Sequence, residues 1–184
     1  MSSHLHKALK KHAGKNLFQV RRRPRGVGSV TGFVVAWSES LLLFHQLEPD
    51  AFCLNGYSAI CTDDVSDYRA FDRDEYWQRR AAGIHKLKPV TPNGVSVANW
   101  RELFESVTSH FPLVTLHTER TNPDVCYVGQ VAKVSDSTLT IYNLDCNCEW
   151  QKPRRFKMAD ITRVEFGDGY STALAETSPK RKAR

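Results

Sequence analysis

Apolar residues recur along this chain at two spacings. In SSHLHKALKKHAG, residues 2–14, Leu5, Ala8 and Leu9 fall on one narrow helical stripe. Ser2 or Ser3 stands where a cap is needed and Gly14 follows the last turn. Trp100, Leu103, Phe104, Val107 and Phe111 also fall on one helical face. Asn99, three residues before Glu102, makes a capping-box-like start there, and Pro112 forbids extension. A third helix is expected over DRDEYWQRRAAG, with Asp72 or Asp74 near its start, Arg79 and Arg80 near its end and Gly83 as its stop. The remaining apolar runs are short or alternate with polar residues, as strands do. They are NLFQVRRR, VGSVTGFVVAWSE, SLLLFHQL and GYSAIC before residue 62, and LVTLHTE, CYVGQVAKVS, TLTIYNL and RRFKMADITRVEFG after residue 112. In the later set Leu139 and Ile141 point inward and Thr138 and Thr140 outward.

The pattern is used twice. GFVVAWSESLLLFHQLEPD, from Gly32, and GQVAKVSDSTLTIYNLDCN, from Gly129, share an opening glycine, a Ser-acid-Ser triplet and a closing Leu-acid step. The glycines stand 97 residues apart, and Asp64-Val65-Ser66 precedes Asp160-Ile161-Thr162 by 96. Each half reads as a helix, four strands, a corner and a strand stub, and repetition in order favours two similar units over one irregular domain. The corner at Asp160 is the device by which a small sheet folds over toward a barrel. The expected division is a first module over residues 1–88, a linker over 89–95 (two prolines and Asn93-Gly94), a second module over 96–176 and a disordered basic tail over 177–184. Units of about 85 residues have marginal cores, so mutual packing as a pseudo-dimer within the chain is expected.

Charge changes the picture only once it is divided. The 184-residue chain carries a net charge of +6. Residues 1–25 hold eight Lys or Arg and no acid, and Lys180, Arg181, Lys182 and Arg184 add four more. With those twelve set aside, residues 26–179 carry −6. Attraction to polyanions is therefore expected mainly from the ends. No stretch approaches the roughly 20 apolar residues of a membrane span, and the first residues lack a secretory apolar run. Five cysteines without scaffold spacing read as reduced thiols, so a cytoplasmic protein is expected.

Candidate chemistry is sparse. No nucleophile elbow, P-loop or HExxH motif is present. Cys146 and Cys148 form a C-x-C without the spacing of a zinc site. His4 and His6 read as solvent-facing, and Asp63, Asp64 and Asp160 as turn and strand-break acids. The chain reads as non-catalytic, with no cofactor. Arg21, Arg22, Arg23 and Arg25, with Lys152, Arg154 and Arg155, form two basic stretches on strand ends or loops. Tyr57, Trp37 and Trp150 are stacking candidates if exposed, since cations beside aromatics suit single-stranded nucleic acid. The opposing reading buries both tryptophans and makes the arginines an edge-protecting row.

A short helix followed by a five-stranded, strongly bent sheet resembles the Sm-like (LSm) superfamily. The best match runs from Val128-Gly129 to Val164, where FKMADITRV resembles that family's fourth strand, short turn and fifth strand. The resemblance implies tandem five-stranded Sm-like or SH3-like barrels and a class whose members form rings and bind RNA. At the places where members read bases, this sequence has Ser135, Thr138-Leu139 and Met158-Ala159, and in the first half Ser38 and Leu41-Leu42. Single-stranded RNA is therefore expected to meet Arg21, Arg22, Arg23, Arg25, Tyr57, Lys152, Arg154 and Arg155 rather than base pockets. The alternative is an adaptor whose partner is another protein. No membrane partner is expected, and the oligomeric state stays open.

Overall fold

In the computed structural model, residues 2–23 and 27–181 are described. The chain is mainly β, with four short helices among these residues. Helix α1 (Ser3–His12) is capped by Ser2, whose Oγ accepts the Leu5 amide at 3.2 Å. Strands β1 (Leu17–Arg22), β2 (Val30–Trp37), β3 (Leu41–Glu48), β4 (Cys53–Cys61) and β5 (Val65–Ala70) follow. Helices α2 (Trp77–Ile84) and α3 (Trp100–Val107) lead to β6 (Val114–Thr118), β7 (Asn122–Val134), β8 (Thr138–Leu144), β9 (Trp150–Lys157) and β10 (Arg163–Phe166). Helix α4 (Gly169–Thr177) closes the order.

All ten strands form one antiparallel sheet, in the order β5-β1-β2-β3-β4-β10-β6-β7-β8-β9. The expectation of two closed barrels is corrected to this extent. The outer edge of β4 is given to β10, from Tyr57 opposite Phe166 to Ile60 opposite Arg163, so the ladder runs on across the halves. The sheet does not close, because β5 and β9 stand at its two margins. Within it the halves have the same internal order, the last strand of each lying outside the first.

The repeated residues do equivalent work in both halves. A Cβ on Gly32 would overlap the His45 carbonyl oxygen, and one on Gly129 the Tyr142 carbonyl oxygen, so both positions require the bare backbone. Ser38 Oγ accepts the Leu41 amide at 3.0 Å, and Ser135 Oγ accepts the Thr138 amide at 3.0 Å, closing each hairpin. The last serine of each triplet receives the following corner: Thr62 N–H donates to Ser40 O and Met158 N–H to Ser137 O, both at 2.9 Å. Those corners, Thr62–Asp64 and Met158–Asp160, are single 3-10 turns.

Three elements depart from expectation. Helix α2 begins at Trp77 without a side-chain cap and contains Gly83, with no buried residue. Helix α4 was not expected; Asp168 caps it by accepting the Ser171 amide at 2.8 Å. The connection at residues 89–95 is tied down, since Val90 N–H donates to His45 Nδ1 at 3.1 Å and Thr91 Oγ1 to Val35 O at 3.1 Å.

Packing follows the pattern of the sequence. Leu5 and Leu9 of α1 cover Phe18, Val20, Val34, Leu42, Phe44 and Ile60. Leu103, Phe104 and Val107 of α3 cover Leu116, Leu139, Ile141, Val164 and Phe166, and this second core also takes in Leu41, Leu43 and Ala59 of the first half. Arg120 ties the two corners together, pairing with Asp64 of the first and donating to Ala159 O of the second at 3.0 Å.

Candidate functional site

Leu41, Leu43 and Ala59 lie on the outer face of the first half, and the second half buries them. Cross-strand partners project to one side of a sheet and alternate along each strand. The register therefore identifies the same face on the second half. Leu43 sits opposite Ala59 and Ala36; their counterparts are Thr140, opposite Arg155 and Lys133. Leu41 opposite Cys61 becomes Thr138 opposite Lys157, and His45 opposite Tyr57 becomes Tyr142 opposite Pro153. An apolar docking face in one half is thus a threonine and cation face in the other. Lys133, Arg155 and Lys157 are exposed on it, and Thr138, Thr140 and Tyr142 are half-buried.

The other side of β9 carries Lys152 and Arg154, both exposed. The Arg154 guanidinium carbon lies 4.2 Å from the Tyr127 ring centroid and 5.4 Å from that of Phe156. Two nearby carboxylates are engaged locally: Asp136 with Arg101 at 2.6 Å, and Asp145 with the amides of Asn147 and Glu149 at 2.9 Å each.

The basic residues predicted from sequence are not brought together. Arg21 and Arg23 are exposed at the end of β1, next to the opposite margin of the sheet from β9. Arg21 stands 3.5 Å from Asp67. Arg22 is corrected from a ligand contact to an internal clamp. Its side chain is fully enclosed, with Nη1 donating to Glu119 Oε2 at 2.6 Å and Nη2 to Oε1 at 2.8 Å. Thr162 Oγ1 donates to the same carboxylate at 2.8 Å. Burial raises the Glu119 pKa, but the hydrogen bonds and charge of Arg22, then Thr162 and Arg163, outweigh it and hold the group at about 2. Arg25 lies outside the described residues.

Tyr57 is corrected as well. His45 stacks on it at 4.8 Å, Phe166 stacks at 5.5 Å from the neighbouring strand, and Phe111 meets it edge-on at 6.2 Å. With rings on both flanking strands, no base can stack there. Trp37 and Trp150 are half-buried; Trp150 Nε1–H donates to Pro179 O at 2.8 Å. Sequence reasoning missed Lys133, Lys157 and Tyr142. The signal was the alternation in STLTI set against the unbroken run in SLLLF.

Two polar recesses hold groups already committed to one another. A cavity of about 550 Å³ beside α3 contains Arg101, bonded to Glu105 at 2.8 Å and to Asp136. Another, of about 330 Å³, contains His117, Glu165 and Cys126. His117 Nε2 meets Glu165 at 3.0 Å and Nδ1 meets Arg163 at 3.2 Å, so neither nitrogen is left as a base for Cys126. Burial raises the Glu165 pKa, but the His117 hydrogen bond and the Arg163 charge bring it below the usual carboxylate range. Among the described residues, no group of three His, Cys, Asp or Glu side chains could hold a metal ion. No helix among them is long and apolar enough to cross a membrane.

No protein-family model matches the chain, and no curated protein matches it in sequence.

Proposed function

We propose that this chain is a non-catalytic binding protein, a tandem pair of Sm-like modules fused through β4 and β10, that engages single-stranded RNA. The contact surface is the outer face of β7, β8 and β9, where Lys133, Arg155 and Lys157 meet phosphates, with Lys152 and Arg154 along the sheet margin. One observation carries this reading: positions that are Leu41, Leu43, Ala59 and Cys61 where a second half docks are Thr138, Thr140, Arg155 and Lys157 where none does. A polar, cationic face suits a polyanion better than it suits another apolar module. The Sm-like resemblance favours RNA among polyanions.

The test is an anisotropy titration of a short labelled single-stranded RNA at several salt concentrations. Changing Lys133, Arg155 and Lys157 together to Ala is expected to weaken binding and to lower the salt slope by about 2, three contacts at roughly 0.7 each. Arg21→Ala with Arg23→Ala is expected to leave that slope nearly unchanged. Absence of binding at about 50 mM salt, where phosphate contacts are strongest, overturns the RNA reading and turns the same face toward an acidic protein partner.

A further inference from the structure

We infer that the Tyr142 ring is the base-stacking position of this face, and that Arg181 occupies it in the unbound protein. The inference rests on the nucleic-acid reading above and names the position an unpaired base would take.

The halves differ at one aromatic position. His45 and Tyr142 are counterparts in the register of β3 and β8. In the first half His45 is closed in by the Tyr57 ring at 4.8 Å and by the Val90 amide at Nδ1. In the second half the strand neighbour of Tyr142 is Pro153, not an aromatic. The group over the Tyr142 ring comes from the residues after α4: the Arg181 guanidinium carbon lies 3.1 Å from the ring centroid. A guanidinium is planar, cationic and ring-stacking, so the place it fills also fits a nucleobase.

The Arg181 Nε is buried without a hydrogen-bond partner, and the segment that carries it is anchored just upstream. Ser178 Oγ donates to Leu174 O at 2.5 Å, and Trp150 Nε1–H donates to Pro179 O. A groove of about 400 Å³ beside them is lined by Leu113, Gln130, Trp150, Ala175 and Pro179, among others. Arg154 on Tyr127 offers the contrast, because there cation and ring belong to strands of the sheet and the ring is buried. Thr138, Thr140, Arg155 and Lys157 share the side of Tyr142, so a strand whose phosphates meet those cations carries its bases past this ring.

The sign of the effect separates this inference from plain electrostatics. Losing a cation ordinarily weakens RNA binding. If Arg181 competes for Tyr142, Arg181→Ala tightens binding by about 2- to 5-fold, the weight of one exposed cation–π contact. The measurement uses a short single-stranded RNA with one 2-aminopurine, whose fluorescence falls on stacking, with the full chain at near-physiological salt. Support requires tighter binding and deeper quenching in Arg181→Ala, both lost in Tyr142→Ala and kept in Tyr142→Phe. Unchanged or weaker binding by Arg181→Ala overturns the inference while leaving the cationic face intact. No binding by any form, at this salt and at about 50 mM, overturns both.

Discussion

Arg22 shows how a charge run can hide a strand. In RRRPR every residue invites a solvent-facing reading, yet β1 alternates Val20 inward, Arg21 outward and Arg22 inward. The partner, Glu119, comes 97 residues later, just after β6, and nothing near either residue marks the pairing. An enclosed charge pair is costly to break from one side. Glu119→Gln or Arg22→Met is expected to cost about 3–5 kcal/mol, measured by urea denaturation. Since folding depresses the Glu119 pKa to about 2, its contribution is present above the ordinary carboxylate range. It is lost as pH falls toward 2. The stability difference between wild type and Glu119→Gln is therefore expected to shrink steadily as acid is added, and a difference that grows in acid contradicts the assignment.

At the scale of elements, helices with a clear stripe and cap were legible. Ser2 caps α1 and Asn99 caps α3, whose side chain accepts the Glu102 amide at 3.0 Å. Helix α4 escaped because its first residue is a glycine and only Ser171 and Leu174 are buried, too few to print a stripe. The repeated glycines were legible as a motif, but the reason for them is tertiary: the carbonyl that excludes a side chain belongs to the neighbouring strand. Gly32→Ala and Gly129→Ala are each expected to cost about 1–3 kcal/mol, as overpacked sites do. Leu9→Ala, at a fully buried position of α1, is expected to cost about 2–5 kcal/mol. Thermal denaturation followed by circular dichroism checks all three, and an unchanged midpoint for either glycine variant contradicts the close approach.

For the whole molecule, the duplicated order could be read from Gly32 and Gly129 and from Asp64 and Asp160. The way the halves join could not, because the pairing of Tyr57–Ile60 with Arg163–Phe166 depends on which edge stays open after folding. Nor was the proposed binding face legible as a cluster, since Lys133, Arg155 and Lys157 are scattered in sequence and meet only through the register of β7, β8 and β9. The shared ladder, the core common to both halves and the Arg22–Glu119 pair couple the two halves. A single unfolding transition with coincident probes is expected, and two separated transitions would show that each half stands alone. The claim that one outer face carries the binding is tested most directly by chemical-shift mapping of the full chain with a short single-stranded RNA. The account expects perturbed amides concentrated at Lys133, Thr138, Thr140, Tyr142, Arg155 and Lys157; perturbations centred on Arg21 and Arg23, or none, would contradict it.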